Sequence, residues 1–163
     1  MLRHMEISDE KFELARSEAE AEYKAVGSVK CPYLNELVHF NNEGFKHLLF
    51  KSWNKSRLRT EQYTRLRLLP LAVKAIKLSH TLQEYDKRQL FVRQKGKTWS
   101  KTLKTVKYYV FMAIFPNVRI KVIVKHIDGG VPFFYSLYPS WGMKKNNDGS
   151  KQKVFISGDP EAD

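Results

Sequence analysis

Residues 106–139, VKYYVFMAIFPNVRIKVIVKHIDGGVPFFYSLYP, decide the fold. Three segments rich in β-branched and aromatic residues are parted by two turn signals, Pro116-Asn117 and Asp128-Gly129-Gly130, which is the pattern of an antiparallel meander. Side chains of a strand alternate with period two. Val118, Ile120, Val122 and Val124 therefore fall on one face of the middle segment, and Arg119, Lys121 and Lys125 on the other, interrupted by Ile123. The first face suits a core. The second is expected to present positive charge to water or to a polyanion. Val106 to Phe115 is apolar on both faces apart from Lys107, which predicts a central place in the sheet. In the last segment, strict alternation puts Tyr135 and Tyr138 on opposite faces, and Ser136 and Tyr138 on the face of Phe134.

Working outward, Gln89 to Val92 reads as a preceding strand, and KGKTWSKTLK, residues 95–104, as a polar basic loop. Upstream lie helical patterns. Asp9 to Ala25 carries a stripe of Phe12, Ala15, Ala19 and Tyr23, with Asp9 as N-cap and Gly27 placed to end it. LVHF, residues 37–40, is a short strand or extended entry. Asn41 caps a helix running to Phe50, in which Gly44 has no propensity advantage. Ser52 to Arg59 is a basic connector. Thr60 is placed to cap a further helix, which Pro70 should kink or split. His80, four residues after Ile76, reads as a hydrogen-bonded structural histidine. The fold expected is α+β, with N-terminal helices packed on one face of a roughly four-stranded antiparallel sheet. Residues 1–143 form one domain, and 144–163 a mobile polar tail with a short edge strand at Lys153 to Ile156.

Lys and Arg number 29 against 17 Asp and Glu, a net charge of +12, which points to a polyanionic partner. Cys31 is the only cysteine, so neither a disulfide framework nor a cysteine zinc site is available, and a cytoplasmic location is expected. No apolar run approaches the roughly 18 residues of a membrane span, and MLRHMEISDEKF lacks the apolar core of a secretory signal. No membrane partner is expected.

Motifs that cradle phosphates through glycine, His-Glu-x-x-His and the nucleophile elbow are missing from the sequence. Between Lys87 and Asn147 the only carboxylate is Asp128. Hard cations need several oxygen donors, so no metal or other cofactor is expected, and nuclease chemistry here would proceed without metal. Metal-free RNA cleavage needs a base for the 2′-OH proton, a cation for the charge growing on phosphorus-bound oxygens, and an acid for the leaving 5′ oxygen. Histidine suits both proton-transfer roles. Two clusters offer these types: His39, His47, Lys51, Arg57, Arg65 and Arg67, then Tyr135, Ser136 and Tyr138. His47 and Lys51, four apart, share a helical face. Each residue also has a bland reading as packing or a solvated charge.

Helices followed by an antiparallel sheet with a basic face, the segment VHFNNEGFKHLLFK and the closing VPFFYSLYPSW together resemble the barnase–EndoU–colicin–RelE-like (BECR-fold) nucleases, as carried by phages and mobile elements. The resemblance spans residues 36–141. It implies a toxin- or phage-effector-like endoribonuclease that cuts RNA by 2′-OH transesterification, with DNA as the alternative ligand and an acidic inhibitor protein as a further partner. It implies His39 or His47, Lys51, and Ser136 or Tyr138 as catalytic residues. Arg57, Arg65, Arg67, Arg119, Lys121, Lys125 and Tyr135 would hold nucleic acid. The final strand has no second histidine, so Tyr138 or His126 would be the acid. The alternative is a non-catalytic nucleic-acid-binding module whose basic sheet face stacks bases on Tyr108, Tyr109, Phe133, Phe134, Tyr135 and Tyr138.

Overall fold

In the computed structural model, which describes residues 6–52, 54–93, 100–140, 144–145, 151–152 and 161, the helices come first. Helix α1 (Asp9–Val26) is capped by Ser8, one residue earlier than expected; its hydroxyl accepts from the Lys11 N–H at 3.2 Å. Asp9 and Glu10 instead complement the helix dipole in the first turn. Gly27 ends the helix at φ +63°, a conformation that favours glycine. The buried residues of α1 are Phe12, Ala15, Ala19 and Tyr23, the stripe the spacing predicts.

Strands β1 (Ser28–Cys31) and β2 (Glu36–His39) form an antiparallel hairpin. Helix α2 (Asn42–Leu49) starts at Asn41, whose side chain accepts from the Gly44 N–H at 3.1 Å. The connector after it contains a small ribbon, β3 (Phe50–Ser52) with β4 (Lys55–Ser56). Helix α3 (Arg59–Leu78) begins before Thr60 and continues through Pro70 rather than splitting there. Proline removes one helical hydrogen bond, but Leu66, Leu69, Ala72, Ala75 and Ile76 stay buried on both sides of it. Burial of that stripe, at about 1.5–3 kcal/mol for each large side chain, outweighs the lost bond. His80, expected as a hydrogen-bonded structural histidine near the apolar stripe, lies past the helix end and is exposed.

The chain then builds β5 (Glu84–Arg93), β6 (Lys101–Ile114), β7 (Arg119–Ile127) and β8 (Phe133–Pro139). These four form the antiparallel meander, with β6 inside it as expected. Phe115 and Val118 exchange hydrogen bonds around Pro116-Asn117, and Gly130 donates to Ile127 across the second turn, where Gly129 adopts φ +82°. The sheet is larger than four strands. Its order is β1-β2-β8-β7-β6-β5, six strands, and β2 meets β8 in parallel at His39 and Phe133. Two four-residue strands carry too little alternation to announce this extension. Residues 144–145 and 151–152 make a further two-residue antiparallel pair. The edge strand expected at 153–156 lies outside the described residues.

On one face Phe111, Ile120, Val122, Val124, Phe134 and Leu137 join the α3 stripe in a single core. The opposite face is buried as well. Val106, Tyr108, Val110, Ile123, Phe133, Tyr135 and Tyr138 form a second apolar cluster there. Lys121 is 1% exposed and Lys125 5% exposed, so these two do not present charge to water as the alternation suggests. Lys121 Nζ meets Glu84 Oε1 at 2.7 Å. Period-two alternation tells which face a side chain takes; it carries no information on whether that face is covered.

A bulge between β7 and β8 corrects a second expectation. Val124 pairs with Phe134 and Ile123 with Ser136, which leaves Tyr135 as an extra residue. An inserted residue shifts all later side chains to the other face. Tyr135 and Tyr138 therefore share the second cluster. Ser136 and Tyr138, opposite Ile123 and Lys121, do not lie with Phe134. Among the described residues no helix is long and apolar enough to cross a membrane.

Candidate active-site cleft between α2 and β8

Helix α2 lies directly against β8 because Gly44 has no side chain. A Cβ there would fall 2.1 Å from the Phe134 carbonyl oxygen and 2.6 Å from the Tyr23 hydroxyl. This approach brings His47, one turn later, onto Tyr135, with ring centroids 4.2 Å apart and planes 18° from parallel. Arg57 locks the imidazole from behind. Its Nε donates to the His47 carbonyl at 2.9 Å, and its Nη2 lies 3.1 Å from His47 Nε2. A guanidinium has only donors, so Nε2 accepts and Nδ1 carries the hydrogen. The Nε2 lone pair is thus committed to Arg57 and does not face a substrate.

Beside this stack opens a cleft of about 560 Å³. Lys46 and Lys51 supply its cations, Glu43 and Glu161 its carboxylates, and His47, Phe50 and Tyr135 its rings, with Ser52 completing the wall. His47 and Lys51 meet there as the spacing predicts, although Lys51 already belongs to β3. Lys125 approaches from the sheet. Its Nζ is 4.5 Å from the centre of the Tyr135 ring, 3.0 Å from both carboxylate oxygens of Glu161 and 3.8 Å from Glu43 Oε1. Tyr135 donates its hydroxyl to the Glu161 carbonyl at 2.8 Å, and Tyr108 donates to the Glu161 carboxylate. Apart from Glu161, the tail expected from residue 144 onward has no described side chain.

Burial, then the nearby Glu161, pushes the Tyr108 and Tyr135 hydroxyls far above their ordinary value of 10.0; burial does the same to Tyr23. The cleft tyrosine is therefore a hydrogen-bond donor at any working pH. These folded-state hydroxyls hold protons more tightly than unfolded ones, so the sign is fixed: their contribution is complete below pH 10 and is lost above it. The unfolding free energy from urea titrations is expected to be level between about pH 8 and 9, then above about pH 10 to fall by about 1.4 kcal/mol per pH unit for each such tyrosine. Tyr108→Phe should flatten that fall; an identical alkaline slope in the variant would contradict the assignment.

The remaining predicted residues are dispersed. Arg65, at the start of α3, donates from Nη1 to Ser136 Oγ and to the Leu137 carbonyl, both at 2.8 Å. Ser136 is fully buried and Tyr138 nearly so. Both thus serve packing rather than the cleft. His39 is half-buried at the β2–β8 bridge, its N–H bonded to the Pro132 carbonyl, and does not line the cleft. His126 donates from Nε2 to the Gly130 carbonyl at 3.0 Å, within the β7–β8 turn. Arg67 is exposed on α3, and Arg119 is half-buried opposite Ile114. Glu43, Lys46 and Phe50 line the cleft without having been singled out by the sequence; the i, i+3 spacing of Glu43 and Lys46 on α2 was the available signal, and Phe50 opens β3.

Among the described residues no three His, Cys, Asp or Glu side chains gather as a metal site would require. No protein-family model, curated protein sequence or solved structure matches the chain.

Proposed function

We propose that the chain is a metal-independent endoribonuclease working in the α2–β8 cleft. The observation that carries this reading is the meeting, in one nucleotide-sized space, of a carboxylate (Glu43) and two cations (Lys46 and Lys51) beside the Tyr135 ring. Such a set meets the needs of 2′-OH transesterification. Glu43, half-exposed at the cleft mouth, takes the 2′-OH proton. The 2′ oxygen bonds to phosphorus as the bond to the 5′ oxygen breaks. Lys51 protonates the leaving oxygen, and Lys46 stabilises the charge on the non-bridging oxygens, while Tyr135, its hydroxyl engaged by the Glu161 carbonyl, forms the wall beside them. His47 is then a positioning residue that holds the Tyr135 ring, because its Nε2 is engaged by Arg57. The acid and base roles so assigned differ from those the resemblance implies.

The test is RNA cleavage in excess EDTA with analysis of product ends. A 2′,3′-cyclic phosphate is expected, and Glu43→Gln and Lys51→Ala should each lower the rate about 100-fold or more. Equal rates in both variants, or 5′-phosphate products, would remove this mechanism. The second reading, base stacking on the aromatic sheet face, is less supported. Tyr108, Phe133, Phe134, Tyr135 and Tyr138 are buried, so their ring faces are not open to bases.

A further inference from the structure

The distal half of the β5–β6 ribbon carries an unusual ladder. On one face Lys87 stands opposite Lys107, Gln89 opposite Thr105, Phe91 opposite Leu103 and Arg93 opposite Lys101. Like charges directly opposite one another on a sheet destabilise it, and this ribbon holds two such pairs. The register adds His126 on β7 beside Lys107, making one row of basic side chains across three strands. Among the described residues no carboxylate forms an ion pair with Lys87, Arg93, Lys101 or Lys107. Asp86 and Arg88 pair with each other on the opposite face.

Between the two cationic rungs sits an apolar one. Phe91 is 70% exposed and its partner Leu103 is 53% exposed. The opposite face of the same strands packs inward through Leu90, Val92 and Val106. The exposed face therefore presents an open aromatic ring flanked by cations. From Lys87 to Arg93 it runs about 20 Å at the usual strand rise. Cations along a groove or ribbon with an interposed ring are the elements by which single-stranded nucleic acid is held without base readout: phosphates on the charges, a base on the ring.

We propose that this ribbon face is a binding surface for single-stranded nucleic acid, separate from the α2–β8 cleft. Its occupant follows from charge: two cationic rungs about 20 Å apart on one exposed face match an anion that is itself extended and repeating. The ribbon binds the strand whether or not the cleft cuts it.

The test uses the full chain and a fluorescent 2′-O-methyl oligoribonucleotide of about 12 nucleotides, which the 2′-OH route cannot cleave. Anisotropy is measured over a range of salt. Lys87→Gln/Arg93→Gln/Lys101→Gln should weaken binding at least 10-fold at low salt and reduce the slope against log salt by about 2, as expected for three lost phosphate contacts. Phe91→Ser should weaken binding about 10-fold and leave the slope unchanged. All three cations and Phe91 are exposed, and circular dichroism checks that each variant is folded. Affinities within twofold of the unsubstituted chain for both variants would overturn the proposal. So would a change of oligomeric state in Phe91→Ser without loss of binding, which would make the face a self-association surface. Cleavage of a dinucleotide, too short to reach the ribbon from the cleft, is read in parallel. Its retention alongside lost oligonucleotide binding supports the ribbon; its absence in every protein tells against the cleft mechanism alone.

Discussion

Gly44→Ala should destabilise the protein by about 3 kcal/mol. Two effects of opposite sign meet at this position. Alanine in a helix is favoured over glycine by about 1 kcal/mol, so propensity alone predicts a gain. The added Cβ, however, would stand 2.1 Å from the Phe134 carbonyl oxygen. That atom belongs to the backbone of a central strand and cannot rotate aside. Relief requires α2 to withdraw from β8, which separates His47 from Tyr135 and breaks the packing of Leu48 and Leu49 in the core. A urea midpoint lower by the corresponding amount, with loss of any RNA cleavage, is the expected result. A midpoint equal to or above that of the unsubstituted chain would mean that α2 is not seated on β8 as described.

Arg65→Met is expected to cost about 3 kcal/mol, from two charge-assisted hydrogen bonds at about 1.5–3 kcal/mol each, partly offset by relief of burying a cation. The reason lies in sheet topology. β2 touches β8 at a single residue pair, His39 with Phe133, so among the described residues the edge of β8 beyond it has no neighbouring strand. Arg65 supplies the missing donor to the Leu137 carbonyl and reaches Ser136 with the same nitrogen. Its guanidinium also lies 5.7 Å from the Tyr138 ring centre. Ser136→Ala should cost only about 1 kcal/mol, because the carbonyl contact survives. A double-mutant cycle should show that Arg65→Met largely includes the effect of Ser136→Ala. Additive losses would mean that the two groups act independently.

The meander and the α1 stripe were legible because each rests on a long periodic signal. Val118, Ile120, Val122 and Val124 pointed to a core face, and that face meets α3. Three things were not legible, each for a physical reason. The β1–β2 hairpin is too short to establish a period. The bulge at Tyr135 is a single extra residue in FFYSLYP, and no local residue type marks it, since Tyr135 needs no unusual backbone angle. The burial of Lys121 and Lys125 depends on Glu84 and Glu161, which lie 37 and 36 residues away. Pair counts of charge cannot foresee such partners. Of the cleft, His47 with Lys51 was legible from helical spacing. Arg57 was legible as a cation, but its grip on His47 was not, because it reaches back across the β3–β4 ribbon.

The order of strands has an outcome for how the protein is made. One wall of the cleft, α2, is among the earlier parts of the chain to leave the ribosome, whereas Tyr135 follows roughly ninety positions later. A partly synthesised chain thus holds cations and a carboxylate with no opposing surface to hold them in place. If the cleft cuts RNA as proposed, the nascent polypeptide is spared cutting the message from which it is being read until β8 has docked.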